Sequence, residues 1–129
     1  MVPGGRQGES GEGRREPRVV VDLAATLVGR SPESARVVDV SLVGCLLRSQ
    51  ASLDAGAVVD LRLELPDGVL RTKARVAAAS LDGDSQPSDG PQVLAGLEFF
   101  GLGAADELRL RRFVAAESRR RKGAHPPPA

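Results

Sequence analysis

Apolar and polar residues alternate along much of the middle of the chain, as expected for strands that bury one face. The alternation is clearest over residues 59–65, where Val or Leu occupies every second position and charged residues lie between them. A second alternating run follows Pro66-Asp67-Gly68, in which Pro presets one backbone angle and Gly supplies a positive φ. The two runs therefore predict a β-hairpin.

Other runs rich in Val, Leu and β-branched residues raise the number of predicted strands to six. The predicted strands are residues 18–28, 35–40, 44–49, 59–65, 69–81 and 92–100. In the strand 69–81, one face is predicted to carry Leu70, Thr72, Ala74, Val76 and Ala78, and the other Arg71, Lys73 and Arg75. The basic face is most simply exposed to water, and it could also widen an electropositive surface for an anionic ligand.

After residue 103 the spacing of apolar positions lengthens to that of a helix. Leu110, Phe113 and Val114 share one face of a predicted helix over residues 104–121. Asp106 and Glu107 fall in its first turn, where acidic side chains complement the helix dipole. Six short strands followed by one helix predict an all-β fold, a small antiparallel barrel whose open end or edge the helix covers.

Both ends of the chain have a composition that does not favour a packed core. Residues 1–13 are Gly-rich and polar and are expected to be disordered. Residues 118–129 form a basic, Pro-rich tail that is expected to be frayed. The predicted folded domain is residues 14–117.

Composition excludes several classes of function. The 129 residues carry 18 Lys and Arg against 17 Asp and Glu, and only three of them are aromatic. A strongly basic nucleic-acid-binding body and a base-stacking platform are therefore not expected. One Cys, Cys45, and one His, His125, exclude a disulfide framework and a clustered zinc site, and no nucleophile–base set suggests an enzyme. Cys45 is expected to be a small buried apolar residue.

The apolar runs are too short for a membrane span, and the first residues do not have the pattern of a secretion signal. A cytoplasmic protein without cofactor or metal is therefore expected.

Two short motifs do not fit the pattern of a core. Arg14 and Arg18 form R-x-x-x-R just before the first predicted strand, and Asp39, Ser41 and Gly44 form D-x-S-x-x-G between the second and third. Together these motifs resemble those of the PilZ domain family. The strand at Gly44 and a later Gly-Leu-Glu-Phe strand at residues 96–99 resemble the family in the same order. The resemblance implies a six-stranded antiparallel barrel with a C-terminal helix.

The resemblance also implies binding of cyclic di-GMP, a bacterial second messenger, by Arg14, Arg18, Asp39, Ser41 and Gly44. Arg offers a planar fork to phosphate oxygens or to guanine O6 and N7, and a carboxylate can accept from a guanine Watson–Crick edge. Ser41 is suited to a base or phosphate contact but also to closing a tight turn. Gly44 would allow a close backbone approach or a positive φ.

Two further positions bear on the ligand. Arg15 is an additional candidate contact beside the first motif. In the family that the chain resembles, the residue before the R-x-x-x-R motif influences whether one ligand or a stacked pair binds. Here that residue is Gly13, which is neither bulky nor charged, so the number of bound ligands stays open.

The function predicted from the sequence is a non-enzymatic receptor that relays cyclic di-GMP binding to an unidentified downstream protein. One alternative is a ligand-independent PilZ-type adaptor, although such adaptors typically lack both motifs. Another is a nucleic-acid binder that uses the tail at residues 118–129, but no DNA or RNA partner is expected from the overall charge.

Overall fold

A computed structural model of the chain describes residues 17–29, 32–81 and 92–124. Its elements are β1 (Val19–Val28), β2 (Pro32–Val40), β3 (Gly44–Ser49), β4 (Val58–Leu65), β5 (Gly68–Leu81), β6 (Val93–Phe100) and α1 (Ala104–Ala124). All six predicted strands and the helix are present. β2 begins three residues before its predicted start, and α1 ends three residues after its predicted end.

The strands close into a barrel in the order β1-β2-β3-β6-β5-β4, and each neighbouring pair is antiparallel. Closure pairs every strand on both sides, so the barrel has no free edge for the helix to cover. The helix instead reaches the core at an end of the barrel, where Leu110 and Val114 are buried. The predicted six-stranded antiparallel barrel with one C-terminal helix is confirmed.

The period-two pattern places the core inside the barrel. Leu61, Leu63 and Leu65 of β4 are buried, and the charged residues between them are exposed. Gly68 has the predicted positive φ, 139°, in the turn that leads into β5.

One predicted core position is wrong. Ala78 of β5 is exposed, although it was expected to share the buried face of Val76. The pairing of β5 with β6 shifts between these two residues, as in a β-bulge. An extra residue in one strand reverses the alternation beyond it, so the side chains after Val76 change faces.

A single arginine ties the helix to the β4–β5 turn. Arg109 donates through Nη2 to Asp67 Oδ1 at 3.1 Å and through Nη1 to the Val69 carbonyl at 3.0 Å. It also bonds Asp106 within its own helix at 3.0 Å. The hydrogen bond from Arg109 holds the pKa of Asp67 below its ordinary value. The turn and the first part of the helix are therefore held together by one guanidinium.

This tie predicts a pH-dependent difference in stability. The folded-state pKa of Asp67 is lowered, so this residue stabilises the fold at pH values above the ordinary carboxyl pKa of 3.8. That stabilisation is lost as the pH falls through the folded-state pKa. Asp67→Asn should therefore lower the melting temperature at pH 7, and the difference from the wild type should vanish at strongly acidic pH. Melting curves followed by circular dichroism would show this. Glu64→Gln, at an exposed position on the preceding strand, is the control and should show no such pH-dependent difference.

Candidate functional site

Residues from the two sequence motifs meet at the start of β1. Val19 pairs with Val40 and Val20 with Asp39, which brings the residue preceding β1 beside the end of β2. Arg18 Nη1 donates to Asp39 Oδ1 at 2.5 Å. The Arg18 side chain is 54% exposed and that of Asp39 is 21% exposed. The pair therefore presents a cation and an anion together on the barrel surface.

The loop after β2 is closed by Ser41. Its backbone N–H donates to the Gly44 carbonyl at 2.8 Å, and its hydroxyl accepts from the Val43 N–H at 3.2 Å. Ser41 is buried, and its hydroxyl also lies 3.4 Å from the Gly44 carbonyl. The turn role that the sequence allowed for Ser41 is therefore observed. Its contact with a ligand stays a prediction.

Gly44 is required by a close approach of two strands. A Cβ atom at this position would overlap the carbonyl oxygen of Leu97 and lie 3.4 Å from the Cα of Glu98, both in β6. Its φ is outside the left-handed region, unlike that of Gly68. Of the two backbone roles expected for Gly44, close approach is the one observed, and the group approached is the neighbouring strand.

Arg14, Arg15 and Gly13 lie outside the described residues. The structure therefore places three of the five principal candidates close together, namely Arg18 and Asp39 in direct contact and Ser41 two residues further along the chain. Gly44 supports the loop from the start of β3.

Two exposed valines, one beside the ion pair and one in the loop after β2, were missed in the sequence. Val20 is 62% exposed and is the β1 partner of Asp39, and Val43 in the loop is 53% exposed. A signal was present, because three successive valines at residues 19–21 cannot all face the interior of a strand. These side chains give the site an apolar surface next to its charges, which suits a flat ring with polar edges.

A second ion pair lies across β6 from Gly44. Glu98 is the β6 partner of Gly44, and on its other side it accepts a hydrogen bond from Arg75 of β5. Both side chains are about half exposed. The predicted basic face of β5 is therefore partly neutralised at this point.

Cys45 is buried beneath the site. Burial, and secondarily the negative charge of Asp39, raises the pKa of the Cys45 thiol to about 12, with Arg18 opposing the shift. The thiol is thus protonated at neutral pH, in keeping with the predicted role as a small apolar residue.

The described part of the chain contains no group of three or more His, Cys, Asp or Glu residues that could hold a metal ion. None of its helices has the length and apolar character needed to cross a membrane.

The closed six-stranded barrel, its C-terminal helix and the surface pair of Arg18 and Asp39 define a small β-domain. The PilZ domain family matches residues 12–116, and the chain belongs to this family. The sequence has no match among curated proteins.

Solved structures share the fold. The PilZ domain of YcgR from Escherichia coli, determined with cyclic di-GMP, aligns with a TM-score of 0.69 and 16% identity over 85% of this chain and 95% of that one. MotI/DgrA, the inhibitor of motility of Bacillus subtilis, aligns with a TM-score of 0.72 and 18% identity, covering 88% of this chain and 53% of its own. The MrkH–cyclic di-GMP complex of K. pneumonia aligns with a TM-score of 0.68 and 18% identity, covering 84% of this chain and 55% of its own. The chain thus spans about half the length of the last two proteins.

Proposed function

We propose that this PilZ domain is a receptor for cyclic di-GMP. The observation that carries the proposal is the contact between Arg18 and Asp39, which joins the two motifs at one exposed point of the barrel. Cyclic di-GMP presents two phosphates and two guanines, and an adjacent cation and anion match both kinds of group. The shared fold of the E. coli YcgR PilZ domain and of K. pneumonia MrkH, both determined with cyclic di-GMP, adds support.

Each site residue has a distinct task in the proposed complex. Arg18 donates its guanidinium fork to a phosphate or to guanine O6 and N7, and Asp39 accepts from guanine N1 and N2. Arg14, with Arg15 beside it, supplies further guanidinium groups from the segment preceding Pro17. Ser41 and Gly44 hold the loop that follows Asp39 in place.

The Arg18–Asp39 pair does not prevent binding. An ion pair at the protein surface contributes only about 0–1 kcal/mol, and the Arg18 partner of this pair is 54% exposed to water. A hydrogen bond to a charged group contributes roughly 1.5–3 kcal/mol. Several such hydrogen bonds to a ligand therefore outweigh the cost of sharing or opening the pair of Arg18 and Asp39.

The proposed receptor is not an enzyme and acts by changing the surface that a downstream protein recognises. A ligand that binds one arrangement of residues 14–18 more tightly than the others shifts the chain toward that arrangement. The proposed setting is the bacterial cytoplasm, where a second messenger would be available. The alternative is a ligand-independent adaptor with the same fold.

Calorimetric titration of the purified chain with cyclic di-GMP tests the proposal. We expect saturable binding at micromolar concentration or below, corresponding to about −8 kcal/mol, and no binding of GTP under the same conditions. The molar ratio at saturation would decide between one bound ligand and a stacked pair. Absence of binding by a chain that circular dichroism shows to be folded would favour the adaptor.

A further inference from the structure

Most of the basic side chains on the outer face of the barrel are matched with a carboxylate. Arg36 pairs with Asp22 at 2.6 Å, and Lys73 pairs with Asp60 at 2.8 Å. Arg18 and Arg75 have the partners described above. Because most cations on this surface have a carboxylate partner, a cation without one is a candidate position for binding an anion.

Arg62 of β4 and Arg71 of β5 are such cations. The turn pairs Leu65 with Gly68, and the register that follows places Arg62 directly opposite Arg71. Both residues are exposed, and among the residues that the structure describes neither has a hydrogen-bond or ion-pair partner. Like charges directly opposite each other across two strands are destabilising. An anion held between the two guanidinium groups would remove that repulsion.

The two arginines line an open cleft on the barrel surface. They line a cleft of about 360 Å³ together with Val28, Lys73 and Gly101. Asp60 also lines the cleft, but its charge is compensated by Lys73. The cleft therefore keeps an excess of positive charge from the opposed arginines, and its volume lies within the range of small-molecule sites.

The cleft is separate from the site of the proposed cyclic di-GMP contact. Arg18 immediately precedes β1, and Val28 is the last residue of that strand. Arg62 pairs with Thr26 of β1, eight residues beyond Arg18, and eight residues of extended strand span about 26 Å. A phosphate or diphosphate group held by Arg62 and Arg71 is too short to reach Arg18 or Asp39.

We propose that this cleft, named here the Arg62–Arg71 cleft, is a second anion site that binds a phosphate or diphosphate group. Two guanidinium forks donate to its oxygens, an arrangement that suits phosphate geometry better than a point charge does. The proposal is independent of whether Arg18 and Asp39 bind cyclic di-GMP.

Calorimetric titration with pyrophosphate at constant ionic strength tests the proposal. The wild-type chain should bind one pyrophosphate, and Arg62→Gln and Arg71→Gln should each weaken binding about tenfold or more, since each removes charged hydrogen bonds. Arg119→Gln is the matched control, because it removes one exposed positive charge from α1. It should leave the affinity within about twofold. Arg18→Ala should also bind pyrophosphate normally, which separates this site from the proposed receptor site.

Two results would overturn the proposal. One is the absence of pyrophosphate binding by the wild type. The other is equal weakening in Arg119→Gln and in the two cleft variants, which would show attraction to overall charge only. Folding is checked in the same samples without pyrophosphate. There the two cleft variants should melt at or above the wild-type temperature, since like-charge repulsion is relieved.

The source of the phosphate group is decided by a second arm of the experiment. Vesicles of phosphatidylcholine with and without phosphatidic acid are sedimented with the chain. Co-sedimentation that requires phosphatidic acid and is lost in Arg62→Gln and Arg71→Gln assigns the group to a lipid headgroup. Pyrophosphate binding without co-sedimentation assigns it to a soluble ligand. Either result, when dependent on both arginines, supports the proposed site.

Discussion

Replacing Arg18 with alanine should weaken cyclic di-GMP binding by about ten- to a hundredfold while leaving the barrel folded. The change removes a guanidinium fork, and each hydrogen bond to a charged group contributes roughly 1.5–3 kcal/mol. It also leaves the Asp39 carboxylate, which Arg18 now neutralises, unpaired beside an anionic ligand. Both effects act against binding. The cost in stability is limited, because the Arg18 side chain is 54% exposed and ion pairs at the protein surface contribute little.

A matched variant separates loss of the ligand contact from loss of an ion pair. Arg36 forms an ion pair with Asp22 between the same two strands, and its side chain is 51% exposed, close to the 54% of Arg18. Arg36→Ala should change stability as little as Arg18→Ala does and leave affinity unchanged. Arg18→Lys keeps the charge without the fork and should fall between alanine and the wild type. Wild-type affinity in Arg18→Ala would contradict the proposed role of the residue.

Most of the fold was predictable because strand alternation reports burial directly. The alternation over β4 identifies Leu61, Leu63 and Leu65 as interior, and the structure buries all three. The β-bulge after Val76 could not be predicted in this way, since Ala77, Ala78 and Ala79 fit an inner or an outer face equally well. Closure of the barrel also depends on which distant strands pair, such as β3 with β6, and local patterns do not determine that.

The site was predictable as a set of residues but not as an arrangement. The motifs identify Arg18 and Asp39 without showing that they bond to each other, because that contact depends on the pairing of β1 with β2. The same limit applies to Gly44, whose neighbour Leu97 lies far along the chain. Local rules succeed for Ser41, because a hydroxyl that closes its own turn needs no distant partner.

The position of Arg62 opposite Arg71 could be predicted only in part from the sequence. Alternation predicts that Arg71 faces outward, and the Pro66-Asp67-Gly68 turn is sufficient to set the register of the hairpin once Leu65 pairs with Gly68. What the sequence does not show is that Asp60, which lines the same cleft, pairs with Lys73 and with neither arginine, because that depends on how the strands are placed. The unmatched charge is therefore visible only in the folded chain.

Replacing Gly44 with alanine should destabilise the barrel by about 1–3 kcal/mol, the usual range for overpacking a tight site. The added Cβ would overlap the Leu97 carbonyl oxygen, which belongs to backbone paired with β3 and cannot rotate away. For a domain of this size, 1 kcal/mol corresponds to a shift of about 4–8 °C in melting temperature. We therefore expect a fall of at least several degrees, measured by thermal or urea unfolding.

Gly96→Ala is the matched control for this change. Gly96 lies in β6 near Leu97, but nothing lies within 4 Å of a Cβ built there. Alanine at this position should leave stability unchanged or raise it slightly, because glycine in a strand costs about 0.5–1 kcal/mol of conformational entropy. Equal melting temperatures for Gly44→Ala and Gly96→Ala would show that the strands can separate enough to admit a methyl group. A lower melting temperature in Gly44→Ala alone would assign the motif glycine to strand packing, and any accompanying loss of cyclic di-GMP affinity would then follow from displacement of the loop that Ser41 closes.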